Sequence, residues 1–283
     1  MRQRGLGEPH DGSADACRSR GSGILWGVYR YIAKTLVITE LEVRRLGHDP
    51  TELISRAAQP AIWLLVFGQV FSRARAIPTG GLRYIDFMAP GILAQSVLFI
   101  AIFYGIAVIW ERDLGILQKF LVSPVPRTAL VLGRSLSAGV RATSQAVIVY
   151  VLSLLLGVRI NWNPRDLIGV LVVVLLGAAI FSTFSLIIAA LVKTRERFMG
   201  IGQLLTMPLF FASNAIYPLS LMPSWLRVIS CLNPLTYEVD ALRSMMIVGG
   251  TSIHSVPLDM SVMLAAAFVM ILIGGWLYPK TVT

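Results

Sequence analysis

From residue 167 to residue 192 the chain runs for 26 residues without a single Asp, Glu, Lys or Arg. At 1.5 Å per residue, about 20 residues of helix cross the roughly 30 Å hydrocarbon core of a bilayer. A backbone in lipid has no water to bond, so only helices and closed barrels satisfy its N–H and C=O groups. Strand-length alternation is absent here, and the run reads as a helix. Five more stretches have the same character: residues 53–72, 87–110, 135–158, 198–217 and 259–279.

Composition agrees with a membrane chain: 55% of residues are hydrophobic, 14% are charged and the mean hydropathy is +0.72. The fold class expected is an all-α membrane protein with six transmembrane helices over residues 53–279. Residues 1–23, rich in Gly, Ser, Arg and Asp, lack the apolar core of a signal peptide and read as a disordered cytoplasmic tail. Residues 24–283 then form a single transmembrane domain.

Two spans contain arginine. Arg56 and Arg141 are read as snorkelling towards the near interface, where a long apolar stem keeps the guanidinium in water. With the N-terminus inside, seventeen Lys and Arg fall in internal segments and seven in external ones. That bias places both termini in the cytoplasm of a multi-pass protein of the cytoplasmic (inner) membrane. Arg73, Arg75 and Arg83, in the first external loop, run against it. A net charge of +10 raises nucleic acid as a partner, but the basic residues line the span ends without stacking aromatics, and nucleic-acid binding is excluded. Cys17 and Cys231 fall on opposite faces and cannot pair.

The segments between spans carry the rest of the organisation. Residues 24–47 have an apolar stripe at Leu25, Val28, Tyr29, Ile32 and Leu36 together with six charges, and read as an interfacial helix. Residues 110–134, WERDLGILQKFLVSPVPRTALVLGR, place Leu114, Leu117, Phe120 and Leu121 on one helical side before Pro124 and Pro126 stop the helix. The S-P-V-P-R run forces an extended corner. In the uncharged run of residues 198–226, Pro208, Pro218 and Pro223 argue against one straight crossing. A helix followed by re-entrant or surface-lying cap helices is expected between spans five and six.

Several chemistries are missing. No GxxxxGK[ST] run cradles phosphates, and neither HExxH nor GxSxG occurs. His10, His48 and His254 are scattered, without cysteines at metal-ligand spacing, so no metal centre is expected. The one acid placed near a span interior is Asp86, which leaves ion-coupled transport without its usual mid-depth carboxylates. The chain is not an enzyme by itself.

The elbow carries a resemblance. Glu111, Arg112, Gly115, Leu117, Ser123, Pro124, Val125, Arg127, Leu132 and Gly133 match the pattern of ABC transporter permeases of the type-2 exporter class, the group of daunorubicin-resistance and nodulation-factor export permeases. Asp113, Ile116 and Gln118 depart from it. More than 80 residues away, Pro218, Pro223, Trp225, Leu226, Asn233, Pro234, Leu235, Thr236, Tyr237, Asp240 and Arg243 resemble the same family's external segment, with Asn214 where glycine is common.

That resemblance implies a permease subunit of an ATP-binding-cassette exporter. Its partners would be two copies of a separate ATP-binding subunit, which binds ATP and Mg, and a second permease copy in a homodimer. The elbow between spans two and three would be a cytoplasmic coupling helix seated in the ATPase, with Glu111, Arg112, Lys119, Ser123, Pro124 and Arg127 as coupling residues. Glu42, Arg44 and Arg45 on the interfacial helix would form a second tier. The substrate path would pass Gln95, Phe99, Phe103, Met207, Phe210, Phe211 and Asn214, and the external cap motif would be Asn233, Pro234, Thr236, Tyr237, Asp240 and Arg243. An amphiphilic drug or antibiotic is the first expected cargo, with lipid-linked glycan or lipo-oligosaccharide export on the same scaffold as the alternative. A channel or secondary carrier without an ATPase, or a membrane scaffold that transports nothing, is the rival of a different class.

Overall fold

The computed structural model describes residues 58–74, 77–114, 127–192 and 194–277. The interfacial helix (24–47), Arg56, Cys17 and most of the elbow (115–126) lie outside the described residues. A π-helical turn, Trp63–Gly68, runs into α1 (Gln69–Ala74), and α2 (Tyr84–Asp113), α3 (Arg127–Leu155), α4 (Pro164–Leu191) and α5 (Arg195–Phe211) follow. A 3-10 turn (Leu219–Leu221), α6 (Ser224–Leu232), α7 (Pro234–Met246) and α8 (Val256–Leu277) complete the order. Among the described residues the one departure from helical pairing is an antiparallel bridge between Ile160 and Ile247.

Helix starts follow local chemistry. Asn163 accepts a hydrogen bond from the Arg165 N–H at 3.3 Å, with Pro164 in the first helical position of α4. Thr194 caps α5 by accepting from the Arg197 N–H at 3.4 Å. Each side chain satisfies a donor that the helix itself leaves unpaired.

Four helices are long and apolar enough to cross a bilayer: Tyr84–Asp113, Leu132–Leu155, Pro164–Leu191 and Val256–Leu277. They agree with the second, third, fourth and sixth expected spans, and α2 runs three residues beyond the expected segment at each end. The fifth differs: α5 has 17 residues, contains Pro208 and stops at Phe211. Its proline removes a backbone donor near the C-terminal end, and the chain turns away six residues before the expected boundary.

α4 occupies the middle of the bundle, packed against α2, α3, α7 and α8. Every residue of α2 from Tyr84 to Leu98 is buried. α8 buries only Asp259, Met263, Ala267 and Gly274, a single stripe at helical spacing, and turns Leu264, Phe268, Leu272 and Trp276 outward. Lipid is as apolar as leucine, so helices in a bilayer associate through close packing and polar contacts. Gly105 of α2 supplies one such approach: its N–H donates to Ser185 Oγ of α4 at 3.1 Å, while the Ser185 hydroxyl donates to the Ile102 carbonyl. Ser135 and Thr183 hydroxyls meet at 3.1 Å between α3 and α4. Arg141, expected to snorkel, lies with its guanidinium 5.5 Å from the centre of the Tyr104 ring.

At the end of the bundle where α2 begins, Asp86 is buried and accepts from Arg83 at 2.8 and 2.9 Å and from the Arg159 N–H and Nε at 3.1 and 3.3 Å.

A methyl group on Gly105 would collide with Ser185 Oγ and the Phe198 ring. Gly105→Val should destabilise the bundle by about 1–3 kcal/mol, the usual cost of overpacking, read as a lower Tm in detergent. Gly200→Ala, on an α5 face with open space around it, should leave Tm unchanged or slightly raised.

Candidate functional site

The last four residues of α2 reach three neighbours. Glu111 pairs with Arg134 of α3, Arg112 donates to the Val192 carbonyl at 3.1 Å, and Asp113 accepts from Arg195 at 2.9 Å. The Arg195 guanidinium also lies 4.1 Å from the centre of the Trp110 ring. Consecutive helical residues point about 100° apart, so four in a row face all round the axis. The foot of α2 is therefore held on several sides, by α3, by the end of α4 and by the start of α5.

Glu111 and Arg134 stand at the two ends of the elbow, and their ion pair closes it at the base. Arg134 is 7% exposed and Glu111 side chain 29% exposed, which sets this pair apart from a solvated surface bridge. Of the expected coupling residues, Glu111 and Arg112 are thus engaged within the chain. Lys119, Ser123 and Pro124 lie outside the described residues, as do Glu42, Arg44 and Arg45. Arg127 opens α3.

The expected path residues separate into three places. Phe99 and Phe103 stack with centroids 6.0 Å apart and line a cavity of about 390 Å³ with Pro60 and Ile100, the polar groups there being Gln59, Ser96 and Gln145. Gln95 is buried on the same helix, with its Nε2 unpartnered. Met207 lies on α5 beside a second hollow with Met199, Gln203 and Leu204. Phe210 is in the core, edge-on to Trp63 at 5.7 Å, while Phe211 is partly exposed. Asn214 is fully buried with both side-chain polar atoms unpartnered.

The cap motif folds into α6 and α7, and its residues are mutually engaged. Asn233 caps α7 by accepting from the Leu235 N–H at 3.1 Å, and its Nδ2 donates to the Leu209 carbonyl at 2.7 Å. Pro234 follows in the first helical turn, where a missing N–H is harmless. Thr236 meets Ser230 at 3.0 Å, and the Tyr237 hydroxyl donates to the Cys231 carbonyl at 2.8 Å. Asp240 accepts from the loop before α8. Arg243 donates to the Asn214 carbonyl at 2.7 Å and the Phe87 carbonyl at 3.4 Å, with its guanidinium 3.8 Å from the Phe87 ring centre. Burial lowers this guanidinium to about 10, opposed by the Asp240 charge.

α7 is mostly buried in protein, so its polar residues, expected to keep it out of lipid in re-entrant or surface-lying cap helices, are shielded by the bundle. Polar helices of this kind are tolerated at depth where protein surrounds them. Sequence reading missed Glu238. Its carboxyl is fully buried against Gly177, midway along α4, with neither oxygen partnered, and burial pushes it well above the usual carboxylate range. A glycine 61 positions away gives no local sign of the space it leaves. Arg134 was likewise not singled out, though it ends the L-G-R of the elbow motif.

With this geometry in hand, comparison with known proteins decides the lineage. The sequence profile of the ABC-2 type transporter family matches residues 33–247. The chain belongs to that family. Among its relatives is the putative transport permease ycf38 of Cyanophora paradoxa, 31% identical over 215 residues that cover 75% of this chain and 74% of the relative. The daunorubicin resistance ABC transporter permease protein DrrB1 of Streptomyces coeruleorubidus is 27% identical over 199 residues, 70% of each chain. The inner membrane transport permease YadH of Escherichia coli K12 is 24% identical over 203 residues, 70% of this chain and 74% of the relative. The ABC-2 permease is the membrane subunit of a transporter, not an enzyme in its own right, and the family implies a partner ATP-binding subunit.

Two tests follow from this permease's polar contacts. Glu111→Arg should cost about 1–3 kcal/mol, less than a fully buried pair because Glu111 is partly exposed. Adding Arg134→Glu should recover most of the loss in a double-mutant cycle read by Tm. For Glu238, a raised folded-state value means the native state holds the proton more tightly. Wild-type stability should therefore fall as pH rises from the ordinary carboxylate range towards that raised value. Glu238→Gln should remove this slope in detergent melts at stepped pH, without lowering Tm at neutral pH.

Proposed function

We propose that the chain is the permease subunit of an exporter that moves a compact amphiphile, a drug or antibiotic first, across the cytoplasmic membrane with ATP hydrolysed by a separate subunit. The end holding residues 110–113 would face the cytoplasm, and the end holding Asp86 and the bridge at Ile160 would face outward. Two copies of the permease would pair with two ATPase subunits, and six spans with both termini inside would complete each permease.

The observation that carries this reading is the foot of α2. The elbow leaves from Leu114 and returns into α3, and both of its ends are tied to the bundle through Glu111, Arg134, Arg112 and Asp113. A push on such an elbow reaches α2, α3 and α5 together, whereas a loop on loose ends would absorb it. Alternating access would follow from closure of the ATPase pair.

The cavity at Phe99 and Phe103 supports the cargo class. Its aromatic and aliphatic walls, with two glutamines and one serine, suit a ligand with a flat apolar body and a few polar groups. A daunorubicin-resistance permease among the relatives agrees with that class. The outward face of α5, where Leu204 is 71% exposed, supports a second copy as the neighbour across the path.

Co-expression with the partner ATPase and reconstitution in liposomes tests the reading: substrate should stimulate ATP hydrolysis, and hydrolysis should drive efflux. Transport that persists without ATP, or an ATPase that never co-purifies, would overturn it. Lys119→Glu with Arg127→Glu should cut ATPase co-purification about tenfold, near 1.4 kcal/mol, while leaving the Tm of the permease alone unchanged. An equal loss of Tm would make these residues structural.

A further inference from the structure

The loop between α7 and α8 gathers three ligating side chains that no sequence spacing announces. Asp240 comes from α7, His254 from the loop and Asp259 from the first turn of α8, and one ligand atom from each lies within 4.8 Å of the others. Both aspartates are fully buried, whereas the His254 side chain is 28% exposed and opens the cluster to the outside.

Hydrogen bonding divides each carboxylate into two unlike halves. Asp240 Oδ2 accepts from the Ile253 N–H at 2.7 Å, the His254 N–H at 3.2 Å and Ser252 Oγ at 3.0 Å. Asp259 Oδ2 shares that same Ser252 hydroxyl at 2.9 Å. The remaining oxygens, Asp240 Oδ1 and Asp259 Oδ1, are buried without a hydrogen-bond partner, and so is His254 Nδ1. One serine hydroxyl carries one proton and serves only one of the two carboxylates at a time. Two buried carboxylates therefore share one hydroxyl beside a single imidazole, and each keeps an oxygen that a cation could satisfy.

We propose that Asp240, His254 and Asp259 form a divalent metal site of the zinc class that clips α7 to the start of α8. Two carboxylate oxygens and one imidazole nitrogen form a donor set that Zn²⁺ accepts, leaving a fourth position for water. A dication balances both carboxylates. The bonds to Oδ2 orient the carboxylates from behind, as outer partners do in metal centres. The ring of Tyr237, 5.4 Å from that of His254, adds a wall on the α7 side. Because Arg243 on the same helix reaches Phe87 and Asn214, the ion would tie α8 to a helix that also holds α2 and the segment after α5. The site is independent of the cargo and of the ATPase.

The test uses the full-length permease in detergent, stripped with EDTA and titrated with Zn²⁺ against a chromogenic chelator. His10→Gln, His48→Gln, Cys17→Ser and Cys231→Ser together provide a background without other soft ligands. In that background one equivalent should bind and raise Tm, and His254→Gln, the mildest change because the side chain is partly exposed, should weaken binding at least about tenfold. Asp240→Asn and Asp259→Asn should do the same, and Co²⁺ should give the intense visible absorption of a low-coordinate site only when His254 is present. Binding that is absent, or equal in the background and His254→Gln proteins, would overturn the proposal. So would a Tm of the background protein that neither EDTA nor added Zn²⁺ changes.

Discussion

A buried guanidinium ties the helices of this bundle together. Arg243 extends from α7 to two carbonyls and one aromatic face that belong to α2 and to the segment after α5, and its position is fixed by the rest of α7. Planar donors in a fixed fork can serve two acceptors and a ring at once, which a lysine would not reproduce. α7 can enter the bundle because Arg243, Asn233 and Thr236 engage polar groups that lipid would leave unsatisfied.

The opposite end of the bundle uses different chemistry. At the foot of α2, contacts are ion pairs and a cation over tryptophan, with Arg195 and Asp113 partly exposed. Half-solvated pairs rearrange at low cost, while fully buried ones resist. The proposed passage of motion from the elbow into the helices would use both properties, an adjustable foot and a rigid far end. Gly105 and Ser185 between them let α2 and α4 approach closely along the intervening length.

The apolar runs were legible because hydropathy is a local property. Four of them correspond to long helices, and the elbow and cap motifs fall on separate segments between them. Proline at 208 pointed to an interrupted fifth crossing, and α5 does stop shortly after it. Less legible was the fate of the polar residues between spans. Composition placed the cap helices outside lipid, re-entrant or surface-lying; α7 is buried in protein, where Arg243 meets carbonyls from distant parts of the chain. Glu238 opposite Gly177, and Glu111 opposite Arg134, are matches of this kind.

What the sequence determined by itself is the membrane character, the long apolar helices and the family. What tertiary structure decided is which polar groups face each other: the arginine over Phe87, the closed base of the elbow, and the Asp, His and Asp gathered at the start of α8. The physical reason is that burying apolar surface is roughly additive along a chain, whereas a charge is stabilised or penalised by its particular neighbours.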